Sequence, residues 1–343
     1  MIGLDISEQE YRDMDNMSYS TLSGISRQGK DSLTDEFVPN YATKFGILTE
    51  SLLFDDYNPD DYYVMPNNII PTDKLKDACD IIFPKLIIDP KLDENLEKYK
   101  GNIKIILEHF DIDYYKNRTS ESRASSIIKD TSEYWKHIKE SKNKIVISQS
   151  MLEKCRAAAQ TLRIHEFTKD IFATDSFFNI EKQSQVKLIF NYRGRKLKCM
   201  LDWLIIDHDN KVIKPYDLKT GSKPIEEFEN SFYYWRYDIQ AFLYTLAVII
   251  FRNKHYPEYD VEDFRFVYIS RLDVSRPIIY KVNSKIHLGS FKGFYRKGEY
   301  YKSVIKLIEE YEWYLSNEKA QYPKEVYENS GEILLADNII INE

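Results

Sequence analysis

Three cysteines in 343 residues, Cys79, Cys155 and Cys199, are too few and too far apart for a disulfide framework or a CxxC metal pair. An iron–sulfur cluster takes four thiolates, so this chain alone holds none. The histidines are scattered (His109, His137, His165, His208, His255, His287) and show no zinc spacing. There is no GxxxxGK(S/T) loop and no GxGxxG turn, which argues against a bound nucleotide, and no GxSxG elbow for a serine nucleophile. No apolar run approaches ~20 residues, so no membrane span is expected. The opening MIGLDISEQEYRDMD is polar and acidic, unlike a signal peptide, and a cytoplasmic location is expected. Positive charge is not in excess either. The net charge is −7, so any contact with nucleic acid requires a local basic patch.

What is present suits a folded chain with a substantial core: 43% of residues are hydrophobic and 14% aromatic. We read one domain over 1–343 in three parts: core helices at 17–54, a helical insertion or cap at 55–144, and a sheet core with a closing helix at 145–330. Ser18 is a candidate N-cap. YATKFGILTESLLF reads as a helix with Phe45, Leu48, Leu52 and Leu53 on its buried stripe and Glu50 off the centre of that stripe. A second helix starts near Ser148. SQVKLIFNY, RKLKCMLDWLIID and KVIKPYDLKTG follow as an antiparallel meander, turning at Arg193–Gly194 and near His208–Asn210. NSFYYWRYDIQAFLYTLAVIIF reads as one buried helix, FRFVYISRL and RPIIYKV as strands, and GEYYKSVIKLIEEYEWYLSN as a surface helix. The expected fold class is α/β, a mixed sheet covered by helices.

Three charged residues stand out within this pattern. Asp202 interrupts the otherwise apolar run Cys199–Ile206, where a lone buried carboxylate costs several kcal/mol. Asp217 and Lys219 lie two apart on the next strand and therefore share a face. A turn at His208–Asp209 makes Asp217 the diagonal neighbour of Asp202; a turn at Asp209–Asn210 sets the two face to face. A slip of one residue would separate them. A plain Asp217–Lys219 salt bridge is the alternative, but it leaves Asp202 unexplained. A divalent cation between the carboxylates accounts for all three, since Mg²⁺ takes one or two carboxylates with waters. Lys219 would then orient a water or steady developing negative charge.

Asp202 followed by Asp217-Leu218-Lys219 resembles the D…(D/E)xK signature of the PD-(D/E)xK nuclease superfamily. The trailing KTG is similar to its RecB-like and phage exodeoxyribonuclease VIII-like branch. Gln240-Ala-Phe-Leu-Tyr244 resembles that branch's QxxxY helix. Gly46-Ile-Leu-Thr-Glu50 stands where the branch has GxxxH, with glutamate in the histidine position. The resemblance covers about 17–53 and 145–330 and leaves 55–144 unaccounted for. It implies a restriction-endonuclease-like core. It also implies Mg²⁺ or Mn²⁺ held by Asp202, Asp217 and the Leu218 carbonyl, with Glu50 as a further ligand, and Lys219 as a catalytic residue. Gln240 and Tyr244 would support the site and touch DNA. Lys223, Arg236 and Arg271 flank it as candidate phosphate contacts.

The expected activity is metal-dependent phosphodiester hydrolysis. An exonuclease on double-stranded DNA in recombination or repair, of phage type, fits the resemblance. A structure-selective endonuclease and a non-catalytic DNA-binding or assembly protein are the alternatives. DNA is the expected partner, with a single-strand annealing recombinase and self-association as further partners implied.

Overall fold

The computed structural model describes residues 4–34, 40–87, 93–110, 112–141, 144–173 and 179–332. The chain forms two compact units, one of residues 1–46 with 158–343 and one of residues 47–157.

The first unit is built on a six-stranded mixed sheet. Its strands are β1 (Ile180–Tyr192), β2 (Arg195–Asp207), β3 (Val212–Gly221), β4 (Asp260–Val261), β5 (Arg265–Ser270) and β6 (Asp273–Lys281). Their order is β1-β2-β3-β5-β6, with β4 also on β3. The meander β1-β2-β3 is antiparallel, as expected, and β5 runs parallel to β3. Its helices include α1 (Tyr19–Gln28), α2 (Phe228–Tyr234), α3 (Tyr237–His255), α4 (Ser284–Lys292) and α5 (Val304–Ser316). The parallel β3–β5 pair requires a crossover, which α2 and α3 supply.

Local chemistry sets the hairpins. Arg193 and Gly194 both have positive φ (51° and 81°), the conformation of a tight turn that matches strand twist. The second turn is held by Asp207, whose carboxylate accepts from the Asn210 backbone N–H at 3.0 Å and from its amide Nδ2 at 2.9 Å. These bonds, with Lys214 at 3.2 Å, lower the Asp207 pKa against the burial that would raise it. The resulting register pairs Asp207 with Val212 and Trp203 with Tyr216, the register of a turn centred on Asp209–Asn210.

Alternation is not regular through the meander. On β2, Leu197, Cys199 and Leu201 join the main core, and so do Leu204 and Ile206. The inward series therefore slips by one between Leu201 and Leu204. On β1, Ser184 pairs with Trp203 and Val186 with Leu201, while Gln185 between them has φ 51°. One residue intervenes on each strand, so this is a local break in the ladder with no change of register, not a bulge. It falls opposite Asp202.

Three expectations about helices are corrected. The helix expected through NSFYYWRYDIQ is broken: α2 ends at Tyr234, and Arg236 has φ 58° before α3 begins. The Trp235 carbonyl leaves the helical pattern and accepts from Tyr19 Oη at 2.7 Å and Ser23 Oγ at 2.8 Å. The closing helix starts only at Val304, capped by Ser303, because Phe294–Arg296 and Glu299–Tyr301 form a hairpin. In the helix Tyr41–Leu53, Leu48 and Leu53 are buried with Phe45, but Leu52 is only half-buried and Thr49 takes its place inside.

The second unit has a core of its own, with Trp135, Phe83, Ile82, Ile103 and Ile127 at its centre. The helices Asp73–Leu86, Lys100–His109 and Ser120–Glu140 supply it. Tyr62–Met65 pairs in parallel with Ile145–Ser148. Buried Arg123 donates to the Tyr114 and Ile112 carbonyls, both at 2.7 Å.

The break at Arg236 is locked by a buried ion pair. The Arg236 guanidinium donates to Asp238 at 3.0 and 3.1 Å, to Ser26 Oγ at 2.5 Å and to the Lys302 carbonyl at 2.8 Å. Ser290 Oγ adds a bond to Asp238 at 3.1 Å. Asp238→Ala strands the guanidinium, and removing one partner of a buried pair costs about 3–5 kcal/mol. Urea unfolding should show that loss; a change below about 1 kcal/mol would mean the pair does not hold the break.

Candidate active site

The β2–β3 ladder ends at Trp203↔Tyr216. The next residues in line are Asp202 and Asp217. Instead of continuing the ladder, the Asp202 carboxylate accepts the Leu218 backbone N–H at 2.8 Å. Both carboxylates are buried, with exposures of 9% and 2%. Beyond this point β3 pairs with β5, with Asp217 opposite Phe266 and Lys219 opposite Tyr268.

Asp217 is held from two sides. Gln240 Nε2, on α3, donates to Oδ1 at 2.5 Å. The Lys219 ammonium lies 2.6 Å from Oδ2, close enough for an ion pair but without hydrogen-bond alignment at that oxygen. Gln240 Oε1 is buried and has no hydrogen-bond partner. The ammonium also lies 4.7 Å from the centre of the Tyr237 ring and 5.7 Å from that of Phe266. Both rings offer a favourable face to a cation.

The electrostatics follow from burial and charge. Burial raises the Asp217 pKa, and Lys219 and Gln240 only partly oppose it. Burial works against the Lys219 ammonium, but the carboxylates of Asp217 and Asp202, with Tyr237 and Tyr19, outweigh it and raise the pKa. Lys219 thus stays charged at neutral pH. Tyr244, one turn beyond Gln240, is buried with its ring edge-on to Phe264 at 5.9 Å; burial first, then Asp217, raises its pKa well above the ordinary value.

The other expected residues are placed as follows. Glu50 lies in the second unit, half-buried, one turn beyond Gly46. Gly46 belongs to the first unit, where a Cβ would stand 3.0 Å from Thr220 Oγ1, so the helix backbone runs close to the end of β3. Gly221 is similarly constrained, since a Cβ there would run into the Tyr268 ring. Lys223 is exposed and pairs with Glu227 at 3.5 Å. The Arg271 guanidinium lies over the Tyr41 ring at 4.8 Å, and the Arg271 backbone N–H donates to the Gly221 carbonyl at 2.8 Å. Arg236, expected at a phosphate, is 2% exposed and committed to Asp238, Ser26 and Lys302. Its role is to lock the helix break, because a phosphate would have to displace that buried pair.

Among the described residues, no group of three or more His, Cys, Asp or Glu converges as a ready cation cage. The acidic pair of the first unit does suit a hard cation. Both carboxylates act on one ammonium, so the local field already selects positive charge. Oxygen donors of this kind match Mg²⁺ or Mn²⁺ rather than softer metals.

Tyr237 and Gln185 were not singled out from sequence. Tyr237 is three residues before Gln240 and so shares its helix face, a signal that was available. Nothing in the β1 sequence marks Gln185.

No family profile matches the chain, and no curated protein matches it. One solved structure, from Eubacterium rectale and described as a "putative exonuclease", is similar over 83% of this chain and 81% of its own. The identity is 12% and the TM-score 0.43, a likeness too distant to carry an argument. No described helix is long and apolar enough to cross a membrane.

A buried ion pair is often no more stabilising than an apolar pair of the same shape. Asp217→Asn combined with Lys219→Met should therefore be at least as stable as the parent at neutral pH. The raised Asp217 pKa fixes the pH dependence. This group favours the fold fully below its ordinary value near 3.8, and that contribution is lost as pH rises through the folded value. The variant's advantage should widen from acid to neutral pH in urea unfolding. An advantage that shrinks with rising pH would contradict this.

Proposed function

We propose that the chain is a metal-dependent deoxyribonuclease, acting as an exonuclease on double-stranded DNA in recombination or repair. The observation that carries the reading is the Asp202 carboxylate set into the end of the β2–β3 ladder beside the buried Asp217–Lys219 pair. Buried charges of this kind are costly for stability, so their retention favours a chemical role. The resemblance in the D…DxK, QxxxY and GxxxE motifs supports the same reading.

Asp202 and Asp217 would hold Mg²⁺ or Mn²⁺, with the Leu218 carbonyl as a further donor. Bound there, the ion would supply charge neutralisation at the scissile phosphate and acidify a water. Gln240 positions Asp217 by donating to one oxygen, leaving the other to face Lys219. Lys219 supplies a fixed positive charge for the phosphate oxygens, and its ammonium can donate to the attacking water's site. Lys223 and Arg271 sit near the end of β3, where they could steady the DNA backbone.

A second reading is a DNA-binding scaffold that keeps the fold without catalysis. It draws on the close Asp217–Lys219 pairing, which already neutralises one carboxylate.

End-labelled linear duplex and closed circular DNA, incubated with Mg²⁺, Mn²⁺ or EDTA, test both readings. Cleavage of the linear form only, abolished by EDTA, is expected. Asp217→Ala and Lys219→Ala should each lower the rate by on the order of 10²–10³-fold while remaining folded. An unimpaired Asp217→Ala protein would refute the assignment. Mn²⁺ titration by electron paramagnetic resonance separates the scaffold, which should bind no ion that depends on Asp202.

A further inference from the structure

The break between α2 and α3 does more than redirect the chain. It presents two aromatic residues at the surface, Tyr234 at 63% and Trp235 at 41% exposure. Their rings meet edge to face at 4.8 Å. The Arg27 guanidinium lies over the Trp235 ring at 4.5 Å and is steadied by its own bond to the Ser23 carbonyl at 3.3 Å. The backbone beneath is fixed, because Tyr19 and Ser23 both bond the Trp235 carbonyl. Exposed tryptophan is uncommon, and one held rigidly under a cation is a prepared surface rather than a stray apolar residue.

Its position connects it to the site. Tyr19 packs 6.2 Å from the Tyr237 ring, and Tyr237 carries the Lys219 ammonium against its other neighbours at 4.7 Å. The sequence of contacts therefore runs from Trp235 through Tyr19 and Tyr237 to Lys219. An aromatic ring beside a cation suits a ligand with a flat π face and a negative backbone. An unpaired nucleotide has both.

We propose that Trp235, with Arg27 and Tyr234, is a stacking platform for an unpaired nucleobase of the strand that approaches Lys219. The proposal rests on the nuclease reading for its location but not for its test. Stacking tolerates any base, so the platform holds a strand without selecting sequence. Arg27 adds attraction for the phosphate next to that base.

The test is fluorescence anisotropy of the full chain with labelled oligothymidylate of about 12 nucleotides, in EDTA, beside a blunt duplex. Trp235→Leu keeps an apolar side chain but loses the ring, and Trp235→Phe keeps a ring. The Leu variant should bind the oligonucleotide about tenfold more weakly, the Phe variant close to the parent, and the duplex should be little affected by either. Equal binding by parent and Trp235→Leu, or no binding by the parent, overturns the platform. Because no metal is present, the result separates from the cleavage assay. Loss of binding in the Leu variant with no cleavage under any metal upholds the platform and removes the nuclease reading. Cleavage with unaltered binding removes the platform alone.

Discussion

Lys219 is the charge around which the first unit is arranged. Its ammonium is buried, which ordinarily drives a lysine toward its neutral form. Two carboxylates and two phenol rings reverse that tendency. Each of these neighbours comes from a different place: Asp202 from β2, Asp217 from β3, Tyr19 from α1 and Tyr237 from α3. Keeping the ammonium charged therefore requires the sheet and two helices to be in register together. Gln240 ties the arrangement to α3 through Asp217, and the break at Arg236 sets where α3 begins.

That dependence explains why so much polar bonding surrounds the start of α3. Arg236, Asp238, Ser26 and Ser290 form a buried network, and Tyr19 and Ser23 hold the carbonyl just before it. An uninterrupted helix would carry Gln240 and Tyr237 round to other directions. Networks of this kind are demanding, since each member left unpaired is penalised, and they fix one geometry for the same reason.

Much of this arrangement was legible in the sequence. Period-two alternation placed Asp217 and Lys219 on one face, and an acidic residue in an apolar strand marked Asp202. The resemblance to a QxxxY helix marked Gln240 and Tyr244, which i,i+4 spacing puts on one helix face. What stayed hidden has tertiary causes. Arg236 takes a left-handed conformation with no glycine or proline to announce it, because its side chain is bound by residues 210 positions earlier and 66 later. Glu299–Tyr301 was read as the first turn of the closing helix, because a three-residue strand is too short to show alternation. Leu52 lost its inside place to Thr49, a difference only packing decides. Arg236 was expected as a phosphate contact beside the site, and only its burial reveals its partner.

The irregularity at Gln185 has a bearing on how this meander tolerates change. Across from it, on either side of Asp202, opposite parities of β2 supply the apolar lining. The pairing stays in step across it, so removing that one residue would shift Val186, Leu188 and Phe190 by one position against β2, turning them toward water, or else force the whole hairpin to slide. Natural variants of such a hairpin should therefore vary in the length of the loop at its tip and not in the stretch beside Asp202.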